Sequence, residues 1–242
     1  MTSSDTENAL KTLREHYDSA TLEAQMLYAS KTMMPHLIKP LPTQMGISEN
    51  TSKPVKFLDN ACGSGVLTHA VQQALPKDIL EKSTFLCADA SDDTKRILKS
   101  GGIFGATTFH KDNTFWIPDI RTAFASFPFE AKLPEVMKMQ MHDQGDWANP
   151  AWIEEHLKKE GFQDVKVTAH NDSYTIESAE DYILQFGMML GWLIKTWWSE
   201  EVQREHSLEE VKELLRRHLV EKYEGKGWDI EFKVICMTGR VD

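Results

Sequence analysis

"FLDNACGSGVLTHAV", residues 57–71, decides the fold. An apolar run ends on Asp59, Gly63 and Gly65 follow, and a helix-periodic segment begins at Val66. Val66, Leu67, Ala70, Val71 and Leu75 share one packed side of that helix. The stretch therefore reads as strand, glycine turn, helix. Glycine tolerates left-handed backbone and carries no Cβ, so such a turn is tight and lets a ligand come close. The helix opens with N–H groups that have no partner of their own, which suits a polar or anionic group.

Working outward, Phe85–Ala88 reads as a second strand closed by Asp89, which lies 24 residues after Gly65. An acidic side chain there suits the two ribose hydroxyls of a nucleoside. The bland alternatives are a ligand-free turn for Gly63 and Gly65 and a helix N-cap for Asp89. Cys62 has no basic neighbour in sequence and reads as a small packed residue, not a nucleophile.

"IFGATTFH" (103–110), "FQDVKVTA" (162–169) and "WDIEFKVICMTG" (228–239) supply three more strands. Asn149 followed by Pro150 opens a helix that Gly161 stops; Ser178 opens an apolar one through Trp198. Ser207 with Glu210 forms a capping box for a helix ending near Gly225. One or two N-terminal helices end near Pro35, and 39–54 reads as a Pro- and Ser-rich loop. Residues 111–148 show no clean period but hold many aromatics and methionines. Trp192, Trp197 and Trp198 cannot share one helix face, so at least one meets solvent, a ligand or a partner.

This alternation predicts an α/β fold: a doubly wound, mostly parallel sheet of about five strands, covered on both faces and topped by a helical cap. One domain spans 1–242. Residues 1–54 form N-terminal helices and a loop, 55–110 the cofactor-binding half, and 111–148 with 178–206 the cap and substrate segments.

"LDNACGSG" with "LCADAS" resembles the class I S-adenosylmethionine (SAM)-dependent methyltransferases, most of all the small-molecule enzymes of fungal natural-product pathways. The resemblance implies a Rossmann-like fold and SAM as cofactor. Asp59, Gly63 and Gly65 would line its methionine part and Asp89 would bind its ribose. "RILKSGGIFGATTFH" resembles the family's L-K-P-G-G segment and fifth strand, with Ser100 in place of the proline. The final strand resembles the family's antiparallel ending. The family places a helix, a strand, another helix and another strand between the ribose acid and the L-K-P-G-G segment. Here only 13 residues, Ala90 to Gly102, separate the second and third strands. A two-turn helix over Asp92–Lys99 would just close a crossover of that length.

The resemblance implies methyl transfer to a small, apolar or aromatic acceptor in secondary metabolism, with O, N, S or C as the acceptor atom. Different outcomes stay open: a SAM-independent cyclase or isomerase, a non-catalytic binding subunit, or a shortened gene product. His110, after the third strand, is the first candidate for a general base, ahead of His16, Tyr17 and His142.

Composition narrows the partners. The 242 residues are 41% hydrophobic and 26% charged, with a net charge of −10 and no basic cluster, which argues against nucleic acid or an anionic membrane surface. Three separated cysteines and no paired histidines imply neither a metal site nor a disulfide framework. The polar start and the 13-residue length of the longest uncharged apolar stretch, Tyr182–Ile194, make a cytoplasmic protein the expectation. A homodimer is compatible with the sequence.

Overall fold

The computed structural model describes residues 19–60, 64–88, 98–137 and 145–242. The chain divides into two compact units. One takes in residues up to Tyr28, 112–144 and 173–232; the other takes in 29–111, 145–172 and 233–242.

The second unit carries the strands read first. Strand β1 (Lys56–Asn60) leads into α4 (Val66–Ala74), after short helices α1 (Ser19–Lys31), α2 (Met34–Ile38) and α3 (Leu41–Gln44). After α5 (Lys77–Leu80) comes β2 (Thr84–Ala88), parallel to β1 with Asp59 opposite Cys87. Ile47, Phe57, Val71, Leu75 and Ile79 form a core between the strand pair and its helices. Strand β3 (Ile103–Phe109) does not join that pair. It runs antiparallel to β5 (Trp228–Arg240), with Ile103 opposite Arg240 and Phe109 opposite Val234. β5 is the middle strand of a second sheet, β3-β5-β4, where β4 is Gln163–Ile176.

The single, mostly parallel, doubly wound sheet is therefore corrected. The described strands form a two-stranded parallel sheet and a separate three-stranded one containing an antiparallel pair. A parallel pair is normally buried on both faces. Here Leu86 is 62% exposed and its neighbour Cys87, pointing the other way, is exposed too. Among the described strands none but β2 pairs with β1, and β3 takes its hydrogen bonds from β5. The proposed helix over 92–99 lies mostly outside the described residues.

β5 records its position in its burial. Trp228, Ile230 and Phe232 are buried in alternation, then Val234 to Gly239 are buried without a break, as a stretch covered on both faces of the sheet requires. Ile153 and Leu157 of α7 (Pro150–Lys159) pack with Phe162, Ile235 and Met237. Residues 39–54 are not simply a loop. Pro40 precedes α3, and Gln44 pins the sheet: its Nε2 donates to the carbonyls of Lys166 and Cys236, both at 3.1 Å. Four residues are too few for any periodicity to show. Pro35, expected to end a helix, instead sits in the first turn of α2, where its missing N–H costs nothing.

The other unit is mostly helical, with the end of β4 and the start of β5. Buried Ile117, Ile120, Ala123 and Phe124 mark α6 (Ile117–Ser126), within a stretch whose sequence has no clean period. Tyr182, Phe186, Leu190 and Leu193 line one side of α8 (Ala179–Trp197), and Val211, Leu215 and Leu219 line α10 (Leu208–Lys222), after the short α9 (Glu200–Glu205). Both α6 and α8 pack on α10. The expected caps are present: Ser178 Oγ accepts from Asp181 N at 3.1 Å and Ser207 Oγ from Glu210 N at 3.2 Å. The Glu210 carboxylate bonds His206 Nδ1 at 3.2 Å.

Gly227 enters β5 against the backbone at the end of β4. A Cβ there would stand 2.7 Å from the Ile176 carbonyl oxygen and 3.3 Å from that of Glu177. Backbone does not give way as a side-chain tip does, so Gly227→Ala is expected to destabilise by about 1–3 kcal/mol. Urea unfolding measures this; a midpoint equal to wild type would refute it.

Candidate functional site

The β1–α4 connection is where the sequence places its chemistry. Asp59 and Gly65 are described there; Cys62, Gly63 and Asp89 lie outside the described residues, as do His16, Tyr17 and His142. Gly65 stands at the N-cap of α4 with φ 75 and ψ 23, a left-handed conformation that favours glycine. A Cβ at Gly65 would meet nothing within 4 Å among the described residues. Backbone conformation, not crowding, calls for the glycine.

Asp59 is 5% exposed. Its Oδ2 accepts from the Thr68 backbone N–H at 3.1 Å and from the Thr68 hydroxyl at 2.7 Å. The carboxylate thus caps α4 from the neighbouring strand, where the helix dipole favours negative charge. One helix-start N–H expected to face a ligand is therefore spent on Asp59. Thr68 Oγ1 also lies 3.4 Å from Cys87 Sγ. Sequence reasoning missed Thr68 and Cys87, because their contact needs the helix start and two strand ends in register. The register sets the carboxyl ends of β1 and β2 side by side, Asn60 opposite Ala88.

His110 follows β3 in the other sheet, 7% exposed, and its backbone N–H donates to Lys233 O at 3.0 Å. Cys236 is buried, which pushes its thiol up to about 11 and leaves it unreactive. Among the described residues no group of three His, Cys, Asp or Glu is placed to hold a metal ion. No described helix is long and apolar enough to cross a membrane.

The aromatics of 111–137 are packed against their own unit. Phe115 meets Phe186 at 5.3 Å and Phe232 at 5.9 Å, and Trp116 stacks on Phe186. Of the three tryptophans, Trp192 and Trp198 are 5% exposed and Trp197 is half-buried. A second polar cluster lies in the same unit, around Asp119, which is 5% exposed. It accepts from Lys222 Nζ and the Tyr223 hydroxyl, each at 2.7 Å, and from Trp228 Nε1 at 3.0 Å. Every partner is a protein group already satisfied by the contact, so the cluster reads as a structural tie.

Donor chemistry fits the implied cofactor at the first site. A carboxylate suits an α-ammonium group, and the remaining N–H groups of a helix start suit an α-carboxylate. SAM carries both on its methionine part.

No family model matches the chain. It is similar to the acetylaranotin bis-thiomethyltransferase of Aspergillus terreus, 22% identical over 239 residues that take in 81% of this chain and 85% of the relative. It is similar also to methyltransferase afvD of Aspergillus flavus, 20% identical over 83% of this chain and 85% of the relative. Methyltransferase tpcH of Aspergillus fumigatus is 20% identical over 76% of this chain and 83% of its own length. The first alignment extends over 239 positions, more than 81% of a 242-residue chain can fill, so part of the relative's span has no counterpart here. Over more than three quarters of its length the chain is thus similar, at low identity, to methyltransferases of Aspergillus species.

Proposed function

We propose that the chain binds SAM at the β1–α4 turn and transfers its methyl group to a small-molecule acceptor of fungal secondary metabolism. The observation that carries this reading is Asp59, a buried carboxylate held at the carboxyl end of β1 against the start of α4. SAM, when bound, supplies a methyl group already activated on a sulfonium. The protein's work is then to hold the two reactants in line and to exclude water. Asp59 would accept from the ammonium group, and the first turn of α4 would face the carboxylate. Asp89 would take the ribose hydroxyls. His110 is the base to test by substitution once an acceptor is known. One relative is named for thiol methylation, so thiols are the acceptors to try first.

A second reading is favoured by the split sheet: a methyltransferase-like protein that binds without transferring, acts as a cyclase or isomerase, or is a shortened gene product. Calorimetric titration with SAM separates the two, with Asp89→Ala as control. Micromolar binding that is lost in the variant supports the cofactor reading. Folded protein that gives no heat with SAM overturns it, and binding without S-adenosylhomocysteine formation against any acceptor favours the second.

A further inference from the structure

We propose that Thr68 is the positioning residue of the cofactor site, holding the Asp59 carboxylate in one orientation and extending that hold to Cys87 on the neighbouring strand. The inference rests on the SAM-binding reading above and adds a residue to it.

Proton counting fixes the direction of the chain of bonds. An ionised carboxylate only accepts, so at 2.7 Å the single hydroxyl proton of Thr68 is donated to Asp59 Oδ2. The Thr68 oxygen then has only lone pairs left for Cys87. At 3.4 Å the Cys87 S–H is therefore the donor and Thr68 Oγ1 the acceptor. Thr68 gives Asp59 a second bond through its backbone N–H, at 3.1 Å. Both bonds fall on Oδ2. Two bonds from one residue stop the carboxylate from turning about its Cβ–Cγ bond, so Oδ1 keeps one direction. Thr68 is 8% exposed, and its branched Cβ leaves few rotamers. It does not itself need to touch the cofactor.

Each substitution removes a different part. Thr68→Val keeps the shape and the backbone bond but loses the hydroxyl; Thr68→Ser keeps both bonds; Thr68→Ala loses hydroxyl and bulk. Two readouts are taken on the full chain: SAM affinity by calorimetry, and the rate of iodoacetamide alkylation at Cys87, located by peptide mass spectrometry. Thr68→Val is expected to weaken SAM about tenfold, Thr68→Ser less than about threefold. Cys87 is expected to alkylate several-fold faster in Thr68→Val, which removes the acceptor of its S–H, and at the wild-type rate in Thr68→Ser. A purely structural Thr68 would move the melting temperature in both variants without this Ser–Val division. If Thr68→Val does not fold, Thr68→Ala carries the same comparison. Wild-type SAM affinity together with an unchanged Cys87 rate in Thr68→Val overturns the positioning role while leaving the cofactor reading standing. Absence of SAM binding by the wild type overturns the cofactor reading, and Thr68's role falls with it.

Discussion

Asp119→Ala is expected to cost about 3–5 kcal/mol of stability, because it breaks a buried charge cluster from one side only. The carboxylate joins three elements: α6, which carries it, the end of α10 through Lys222 and Tyr223, and the start of β5 through Trp228. Its loss leaves the Trp228 indole N–H buried without an acceptor. Tyr223, half-buried and stacked on Trp228 with ring centroids 4.1 Å apart, loses the acceptor of its hydroxyl. Lys222, 31% exposed, can swing out, which sets the expectation at the lower end of that range. Asp119→Asn keeps one oxygen acceptor and is expected to cost about half as much.

The same cluster gives a pH dependence with a definite sign. Burial lowers Lys222, but its bonds to Asp119 and Tyr223 outweigh that and leave it above its ordinary 10.5. Burial and then Asp119 push Tyr223 above its ordinary 10.0. A value raised on folding contributes stability that is complete below the unfolded value and is lost as pH rises through the folded one. Wild type and Asp119→Ala should therefore differ by a constant amount near neutrality and converge above the ordinary values of these two groups. Urea midpoints measured across that range test it. A gap that stays constant into strong alkali would sink the assignment.

Asp59→Ala is expected to have the largest effect on binding. The carboxylate accepts charge-assisted bonds from Thr68 and, on the proposed reading, from the cofactor's ammonium group. Loss of the cap costs about 1–2 kcal/mol of stability. Loss of a charged partner weakens SAM by roughly 10- to 100-fold. Asp59→Asn separates the two effects. Its amide oxygen can accept from Thr68, so the fold is kept, but no charge faces the ammonium group. Calorimetry on Asp59→Asn decides: affinity equal to wild type would show that Asp59 is a helix cap and nothing more.

Helices and strands with a clear period and a cap are legible in the amino-acid sequence. Asn149, Ser178 and Ser207 start helices as expected, and Gly65 adopts the left-handed backbone that its place in the turn suggests. Shorter elements are not legible in this way. The α3 segment is four residues long, and its function lies in Gln44 reaching carbonyls of β4 and β5, more than a hundred positions away. The aromatics of 111–137 are open, as sequence, to a substrate or a core interpretation. Phe115 and Trp116 settle in a core because Phe186 and Phe232 come to meet them.

Local sequence by itself determined the β1–turn–α4 unit, the caps, the resemblance to methyltransferases and the shortness of the connection after β2. Each of these depends on residues within a few turns of one another. Only the tertiary structure decided which strands pair. β3 could have continued a parallel sheet, but its hydrogen bonds go to β5. Only the tertiary structure, too, brought Thr68 between Asp59 and Cys87, because that contact needs a helix start and two strand ends in register. Strand pairing and side-chain contact are long-range events.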